Sequence, residues 1–507
     1  MGFIKLITGF VLGAILILSF QPFGYWPISF LVPGLLYVLI RNENFKKTFF
    51  ISYSFGFGLW AWGIFWIENS ITVYGGANFF VGIFLTLILA AFLSFFQAFS
   101  FSLFFIFKNK NIFNAFLLFP ACWILGEWLR EFLFTGFPWL YLGYTTIDNF
   151  LLKGFIPILG VFGTGFMTVL ISQCIFISLF DSSINRNKKV IFTSTILILL
   201  VFVMNESLKL KEWTKTSGSF DALIVQPNID IDKKWSAEGR KKINKDIQKK
   251  IGENLLTEKK QKIILFWPEV TLTDPLYVEE IELLEKKLLE NNDSLGVLLG
   301  TLIISESGEL KNSLIGLGAI KGIYDKKYLV PFGEYVPLSG VFNRFFNFFN
   351  FNRPSIIAGE GTSLLGDEFI KISPAICYEI AYQETYLKNS DTSNLLFNAS
   401  NDNWFGKTIG PYQHLQIARF RAAENQKYLI RSTSTGISAF INDKGKIISK
   451  TNIAKKNVPS ESLKEKVILK SGQTPFSKMG KNPFIYFLII IFFVSTILKF
   501  RNNVFDN

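Results

Sequence analysis

Three residues of different chemical type lie beside apolar runs in the second half of the 507-residue chain. Glu269 ends the segment Ile-Ile-Leu-Phe-Trp-Pro-Glu, Lys326 lies two residues before Tyr-Leu-Val-Pro-Phe-Gly-Glu, and Cys377 follows Ser-Pro-Ala-Ile. Short apolar runs are typical of buried strands, and functional residues gather where the strands of an α/β domain end. Taken singly, each residue is more simply read as a surface or capping residue.

Together the three residues form a set that can transfer an acyl group. A cysteine is a good nucleophile only as its thiolate, and a carboxylate such as Glu269 can take the proton from the thiol. Lys326 can stabilise the oxyanion of a tetrahedral intermediate, helped by the backbone N–H of Tyr378. The predicted product is a thioester on Cys377 that passes its acyl group to a second nucleophile.

The cysteine and histidine content excludes several other kinds of site. The cysteines are Cys122, Cys174 and Cys377, two of them in apolar runs, so a disulfide framework is not expected. His414 is the only histidine, so a multi-histidine zinc site cannot form and a histidine-based triad would have to use it. We therefore expect a carboxylate or lysine base, with no metal and no cofactor.

The elements that must position these residues alternate between strands and helices after residue 206. The predicted strands are 222–225, 263–267, 295–304, 313–317, 370–376, 394–398, 428–432 and 436–441. Helical patterns cover 237–257, 276–291 and 411–427. This alternation predicts an α/β layered domain of about 260 residues.

The first part of the chain has the composition of a membrane protein. Residues 1–206 carry 11 of the 52 Lys/Arg and 7 of the 39 Asp/Glu. A helix needs about 20 apolar residues to span a bilayer. Eight candidate spans follow from this rule: 3–20, 25–40, 48–68, 80–106, 112–134, 154–180, 189–205 and 483–499. We predict three regions: a membrane domain over 1–206, a catalytic domain over 207–482 and a C-terminal membrane helix with a short tail over 483–507.

Loop charges predict the orientation in the membrane. If the N-terminus is cytoplasmic, the basic residues collect on the inside, as the positive-inside rule requires. The inside loops and tail then carry Arg41, Lys46, Lys47, Lys108, Lys110, Arg186, Lys188, Lys189 and Arg501, against Lys153 alone outside. This distribution places residues 207–482 outside the cytoplasm and both termini inside.

Two features allow more than one interpretation. Glu127 and Arg130 lie three residues apart in or beside the fifth span, so they form either a structural pair or a polar lining beneath the outer domain. The Phe-rich segment 339–356 is either a lid that dips into the membrane or a locally packed aromatic cluster. Its phenylalanines are Phe342, Phe345, Phe346, Phe348, Phe349 and Phe351.

The net charge of +13 raises nucleic acid and anionic membranes as possible partners. The lysine-dense stretch 233–260 is interleaved with acidic residues. It also lacks the aromatic pattern on which bases stack. We therefore expect a solvated lysine-rich surface and no nucleic-acid partner.

The ordered motifs resemble those of a known superfamily. Trp-Pro-Glu269, then Lys326-x-x-Leu-Val-Pro-Phe-Gly-Glu334, then Ile-Cys377-Tyr-Glu resemble the Glu-Lys-Cys triad of the nitrilase, or carbon–nitrogen hydrolase, superfamily. The eight-span frame makes the whole chain similar to the bacterial apolipoprotein N-acyltransferase family. Further matching stretches are 225–229 leading to Trp235, 401–406, 410–416, 431–436 and 135–139. The family usually has histidine where this chain has Tyr328.

The resemblance implies a fold, site residues and a reaction. The fold would be an α-β-β-α sandwich, with Glu269 as general base, Lys326 as oxyanion stabiliser and Cys377 as acyl carrier. Residues that support or shape the site would be Glu334, Tyr378, Glu379 and Trp235. A phospholipid, typically phosphatidylethanolamine, would acylate the cysteine. The acyl chain would then pass to the α-amine of the diacylglyceryl-cysteine of an apolipoprotein in the bacterial inner membrane.

Three other functions compete with this reading. A membrane-anchored amidase that hydrolyses a non-lipid amide would share the triad, although eight spans exceed what an anchor requires. A transporter would need charged or broken helices lining a pathway at the midplane. Apart from Glu68 and the Glu127–Glu131 group the spans are nearly uncharged. A scaffold with an inactive site is disfavoured because all three triad residue types are present.

Overall fold

The chain folds into two compact units, Met1–Lys211 with Met479–Asn507 and Glu212–Lys478. The structure is a computed structural model that describes residues 2–108, 114–180, 188–229, 231–255, 262–289, 294–335, 356–453 and 459–505. Apart from Ile356, the Phe-rich segment lies outside the described residues. Its proposed role as a lid therefore stays a prediction.

The first unit is built from apolar helices. Its main helices are Gly2–Leu16, Ile28–Ile40, Phe45–Gly63, Phe79–Phe107, Phe119–Phe132, Ile156–Phe180, Lys188–Lys209 and Asn482–Phe505. In the described part of the chain, five segments are long and apolar enough to cross a bilayer. Phe45–Gly63 and Ile67–Tyr74 form a sixth candidate, bent by 57°. The predicted helical membrane domain is confirmed, although Ile28–Ile40 and Phe119–Phe132 are shorter than the predicted spans.

Small residues let two of these helices approach closely. A Cβ atom built on Gly13 would lie 1.9 Å from the backbone oxygen of Phe55, and one on Gly58 would lie 2.0 Å from that of Phe10. Close contact at glycine is a common way to pack membrane helices, because lipid offers no hydrophobic drive for their association. Gly2–Leu16 and Phe45–Gly63 therefore pack backbone to backbone at these glycines.

Two charged side chains of the fifth span, Glu127 and Arg130, bind the backbone of the loop that follows it. Glu127 Oε1 accepts hydrogen bonds from the backbone N–H of Leu142 at 2.9 Å and from the indole of Trp123 at 3.1 Å. The Arg130 guanidinium donates to the carbonyl of Trp139 at 2.6 Å and lies 4.4 Å from the centre of a Trp60 ring. These contacts favour the structural interpretation over a polar lining.

Two six-stranded sheets form the second unit. The first sheet has the order β12-β1-β2-β3-β4-β5 and the second has the order β11-β10-β9-β8-β7-β6. The strands are β1 Lys215–Gln226, β2 Ile263–Phe266, β3 Leu295–Ile304, β4 Leu310–Gly318, β5 Gly322–Asp325, β6 Leu365–Gly366, β7 Lys371–Ile376, β8 Leu395–Ser400, β9 Leu429–Thr433, β10 Ala439–Ile441, β11 Ile447–Lys450 and β12 Glu461–Ser471. The central trios β1-β2-β3 and β7-β8-β9 are parallel.

The two sheets pack face to face between helices. The core between them combines side chains of both sheets, among them Ile264 and Phe266 of the first with Ile376 and Phe397 of the second. A second core covers the other face of the first sheet, which packs against the helices Ala237–Leu255 and Glu280–Leu289. The helix Gly410–Asn425 packs against β9. The predicted α-β-β-α sandwich is confirmed.

Candidate active site

Glu269 lies just beyond β2, where the strand leaves the sheet. Its side chain is buried, and Oε1 accepts a hydrogen bond from Nδ2 of Asn312 at 2.8 Å. Asn312 belongs to β4 and its Nδ2 also donates to Oε1 of Glu334 at 2.8 Å. One amide thus holds two carboxylates in fixed positions.

Lys326 follows β5 directly and is 1% exposed. Its Nζ lies 2.8 Å from Oε2 of Glu334 and 3.4 Å from Oε1 of Glu269. Burial alone would lower the pKa of Lys326, but the carboxylates of Glu334 and Glu269 outweigh burial and raise it well above its usual value. The side chain therefore remains a cation at every physiological pH.

Cys377 follows β7 in a strained backbone conformation. Its φ is +52°, a left-handed value that non-glycine residues adopt rarely and mostly where function holds them there. Its carbonyl oxygen lies 3.2 Å from Nε2 of His414 and accepts a hydrogen bond from Nδ2 of Asn398 at 3.4 Å. These contacts fix the sharp turn that presents the sulfur at the end of the strand.

The thiol of Cys377 is protonated at neutral pH. Burial and the Glu269 carboxylate raise its pKa to about 12, although the Lys326 ammonium lowers it. A thiol with so high a pKa becomes a good nucleophile only when a base removes its proton. Among the residues that the structure describes, no hydrogen-bond partner reaches Oε2 of Glu269, so that oxygen is available to take a proton.

Glu379 joins the two loops that carry Lys326 and Cys377. Its side chain is fully buried, and Oε1 accepts from the backbone N–H groups of Lys327 at 2.7 Å and Tyr328 at 3.1 Å. Its Oε2 accepts from the backbone N–H of Ile376 at 2.7 Å. Burial raises the pKa of Glu379 despite these donors. Its position is that of a clamp between the loops, which fits the supporting role that the resemblance implies.

The other predicted site residues differ in their surroundings. Tyr378 is buried, with its ring 5.6 Å from that of Tyr382 in an edge-on arrangement. Tyr328 stacks on the same Tyr382 with ring centres 4.2 Å apart, so the aromatic ring at the family's histidine position fills a packed site. Trp235 is 44% exposed on the surface of this unit.

A buried network beside Cys377, for which the sequence predicted no role, comes from three of the matching stretches: 401–406, 410–416 and 431–436. Nδ1 of His414 lies 3.1 Å from Oδ1 of Asp402, and Arg431 donates to both Asp402 oxygens at 2.9 and 2.8 Å. Arg431 and His414 hold the pKa of Asp402 below its usual range, although burial opposes them. The role of the only histidine is thus to hold the Cys377 carbonyl. Asn312 was also missed, since a single polar residue inside a strand gives no pattern.

No group of acidic, histidine or cysteine side chains suited to holding a metal ion occurs among the residues described. Cys377, Glu269 and Lys326 bring together a thiol, a carboxylate and a buried ammonium, and one oxygen of the carboxylate has no hydrogen-bond partner in the described part of the chain. This cluster can activate a nucleophile and stabilise an oxyanion. Together with the two-sheet sandwich, it defines a nitrilase-like acyl-transfer domain, which here is joined to a membrane unit.

Comparison with known proteins identifies the family. Residues 12–174 match the apolipoprotein N-acyltransferase N-terminal domain and residues 251–461 match the carbon–nitrogen hydrolase domain. The apolipoprotein N-acyltransferase of Coxiella burnetii is 34% identical over 506 residues, covering 97% of this chain and 99% of that protein. That of Haemophilus influenzae is 34% identical over 496 residues, covering 95% and 92%.

Among solved structures, the chain is similar to Nit3 of Saccharomyces cerevisiae, a member of branch 10 of the nitrilase superfamily. The sequence identity is 15% and the TM-score is 0.37. The match covers 51% of this chain and 92% of that chain. The sequence matches are the decisive ones. The chain belongs to the apolipoprotein N-acyltransferase family. It is an acyltransferase and a multi-pass protein of the inner membrane.

Proposed function

We propose that this enzyme moves an acyl chain from a phospholipid, through a thioester on Cys377, to the α-amine of the diacylglyceryl-cysteine of an apolipoprotein. The observation that carries the proposal is the buried thiol grouped with a lysine cation and a carboxylate, one oxygen of which has no partner among the described residues. Membership of the family supports lipoproteins as the acceptors.

In the first half-reaction Glu269 takes the proton from the Cys377 thiol as the sulfur attacks the ester carbonyl of the phospholipid. A C–S bond forms, and the negative charge on the carbonyl oxygen is stabilised by the Lys326 ammonium. When the intermediate collapses, the C–O bond to glycerol breaks and Glu269 returns the proton to the leaving alkoxide. The products are the thioester and a lysophospholipid.

In the second half-reaction the amine of the lipoprotein attacks the thioester carbonyl. Glu269 takes a proton from the amine nitrogen, an amide bond forms, and the C–S bond breaks. The departing thiolate recovers its proton from Glu269. Conversion of a thioester to an amide is downhill, so the cycle needs neither ATP nor a cofactor.

The family resemblance supports the donor, and the loop charges support the side of the membrane. We infer the sn-1 chain of phosphatidylethanolamine as the donated group, which is the donor that the family resemblance implies. The excess of basic residues in alternate loops favours cytoplasmic termini and a catalytic domain on the periplasmic side. Both proposed substrates, a phospholipid and a lipid-modified protein, are membrane-bound, so we infer that the triad works close to the outer surface of this membrane.

The acceptor can be tested directly with the purified full chain in detergent micelles. The enzyme is incubated with phosphatidylethanolamine that carries different chains at sn-1 and sn-2. A diacylated lipopeptide is then added, with either a free or an acetylated α-amine. We expect the free amine alone to gain one sn-1 chain, measured by mass spectrometry. Release of free fatty acid at the same rate with either peptide would instead indicate a hydrolase.

A further inference from the structure

Lys234 is a buried lysine that the reaction described above does not use. It is the last residue of the short helix Ile231–Lys234 and is 4% exposed. Its Nζ donates a hydrogen bond to the backbone carbonyl oxygen of Glu269 at 3.2 Å. A lysine is rarely buried without a specific partner, and here the partner is the main chain of the general base.

The backbone that Lys234 contacts is under strain. Val270, the next residue, has a φ of +45°, which is an outlier for a β-branched side chain. On the other side the turn lies against β3, where a Cβ atom on Gly300 would be 2.4 Å from the carbonyl oxygen of Pro268 and 2.5 Å from the backbone nitrogen of Val270. Strained turns persist only when their surroundings hold them.

The charge of Lys234 also bears on the base. Burial lowers the pKa of Lys234 to about 8, and the Glu269 carboxylate is the group that opposes this change. A neutral donor would satisfy the same carbonyl without the cost of burying a charge. The ammonium therefore provides a second effect, an attraction to the carboxylate whose backbone it binds.

We propose that Lys234 is a positioning residue that fixes the strained turn carrying Glu269 and thereby sets the direction of the basic carboxylate oxygen. Since Lys234 precedes Trp235, the same contact ties the segment bearing that exposed tryptophan to the base. The inference rests on the proposed role of Glu269 as the general base.

The test compares three variants of the full-length enzyme in micelles. Lys234→Met removes both charge and donor, Lys234→Gln keeps a neutral donor, and Lys233→Met is the matched change at the exposed neighbouring lysine. The readout is the single-turnover rate of Cys377 acylation, followed by intact mass as the donor concentration is varied. Two donors are used, phosphatidylethanolamine and the small activated ester p-nitrophenyl butyrate.

We expect Lys234→Met to lower the maximal acylation rate about 10- to 100-fold with both donors, because a small misplacement of a reacting group costs about this much. The donor concentration at half-maximal rate should change less than about twofold, since a positioning effect acts on the reaction and not on lipid binding. Lys234→Gln should recover part of the rate, and Lys233→Met should match the wild type.

Two results would overturn the inference. One is a folded Lys234→Met protein, judged by its thermal melting profile, that is acylated at the wild-type rate. The other is a change in Lys234→Met that affects only the donor concentration at half-maximal rate, together with a Lys234→Gln protein that is acylated no faster than Lys234→Met. If the wild type reacts with p-nitrophenyl butyrate but not with phospholipid, the proposed donor fails while the comparison at Lys234 still stands.

Discussion

Nζ of Lys326 lies 2.8 Å from Oε2 of Glu334, closer than its 3.4 Å distance from Oε1 of Glu269. The nearer carboxylate holds the ammonium, and the farther one keeps an oxygen without a partner among the residues described. In the proposed mechanism Glu334 therefore fixes the cation, and Glu269 transfers the protons. Glu334 and Glu269 carry the same functional group but have different roles in this proposal.

Glu334→Gln should remove the negative charge that holds the Lys326 ammonium while leaving a side chain of the same shape. Because the buried Lys326 would lose its closest anionic partner, we expect the acylation rate to fall about 100-fold, comparable to the loss of one oxyanion-stabilising group. The rate is measured by intact mass under single-turnover conditions. Glu306→Gln, an exposed residue on a loop, is the matched control and should react normally. An unchanged rate in Glu334→Gln would refute the assignment.

The identity of the base can be tested by comparing Glu269→Gln with His414→Gln. Loss of a general base costs about 10²- to 10⁴-fold, so Glu269→Gln should lose acylation by such a factor. His414 contacts the carbonyl of Cys377, so His414→Gln should retain measurable acylation at roughly one tenth of the wild-type rate, a loss typical of slightly altered geometry. The reverse order of effects would identify the histidine as the base.

Glu379→Gln should destabilise the catalytic unit more than it alters any single chemical step. The carboxylate accepts three backbone N–H bonds, and each hydrogen bond to a charged group is worth about 1.5–3 kcal/mol. We expect the free energy of unfolding to fall by about 2–4 kcal/mol, since the amide retains part of this bonding. Denaturant titration gives the value, and the exposed Glu368→Gln serves as control. Equal stability of both variants would exclude the clamp.

The reactivity of Cys377 should rise with pH without reaching a plateau in the neutral range. Since burial and Glu269 raise the thiol pKa to about 12, the thiolate fraction should increase about tenfold for each pH unit between pH 7 and 10. The measurement is the rate of alkylation by iodoacetamide, with Cys377 followed by peptide mass mapping. Lys326→Met should slow it further, because the ammonium lowers the thiol pKa. A plateau near pH 7 would show a preformed thiolate and contradict this account.

The positions of the proposed triad were predictable because each member ends or borders a strand with a clear apolar pattern. Glu269 and Cys377 follow β2 and β7, which are interior strands of the two sheets. Asn312 was not predicted, since it lies inside a strand, and His414 was placed in a matching stretch on a predicted helix but without its role. Their roles depend on which strands become neighbours, and local sequence does not encode that.

Some elements were also harder to predict than others. β12 was missed because its first half, Glu-Ser-Leu-Lys-Glu-Lys, has one apolar residue and no continuous apolar run. The fifth span, predicted over 112–134, is not one regular α-helix, since an α-helix of 14 residues with three charged side chains follows a π-helical turn at Asn114–Leu118. Hydropathy locates an apolar region well, but it does not show where helical hydrogen bonding begins.

A thioester on Cys377 can be detected in the intact mass of the purified full chain after incubation with phosphatidylethanolamine. The wild type should gain the mass of one acyl chain, and hydroxylamine, which cleaves thioesters, should remove it. Cys174→Ala, a matched loss of another buried thiol, should still gain the chain, and Cys377→Ala should not. A folded wild type that gains no acyl chain, or a Cys377→Ala variant that does, would contradict the account.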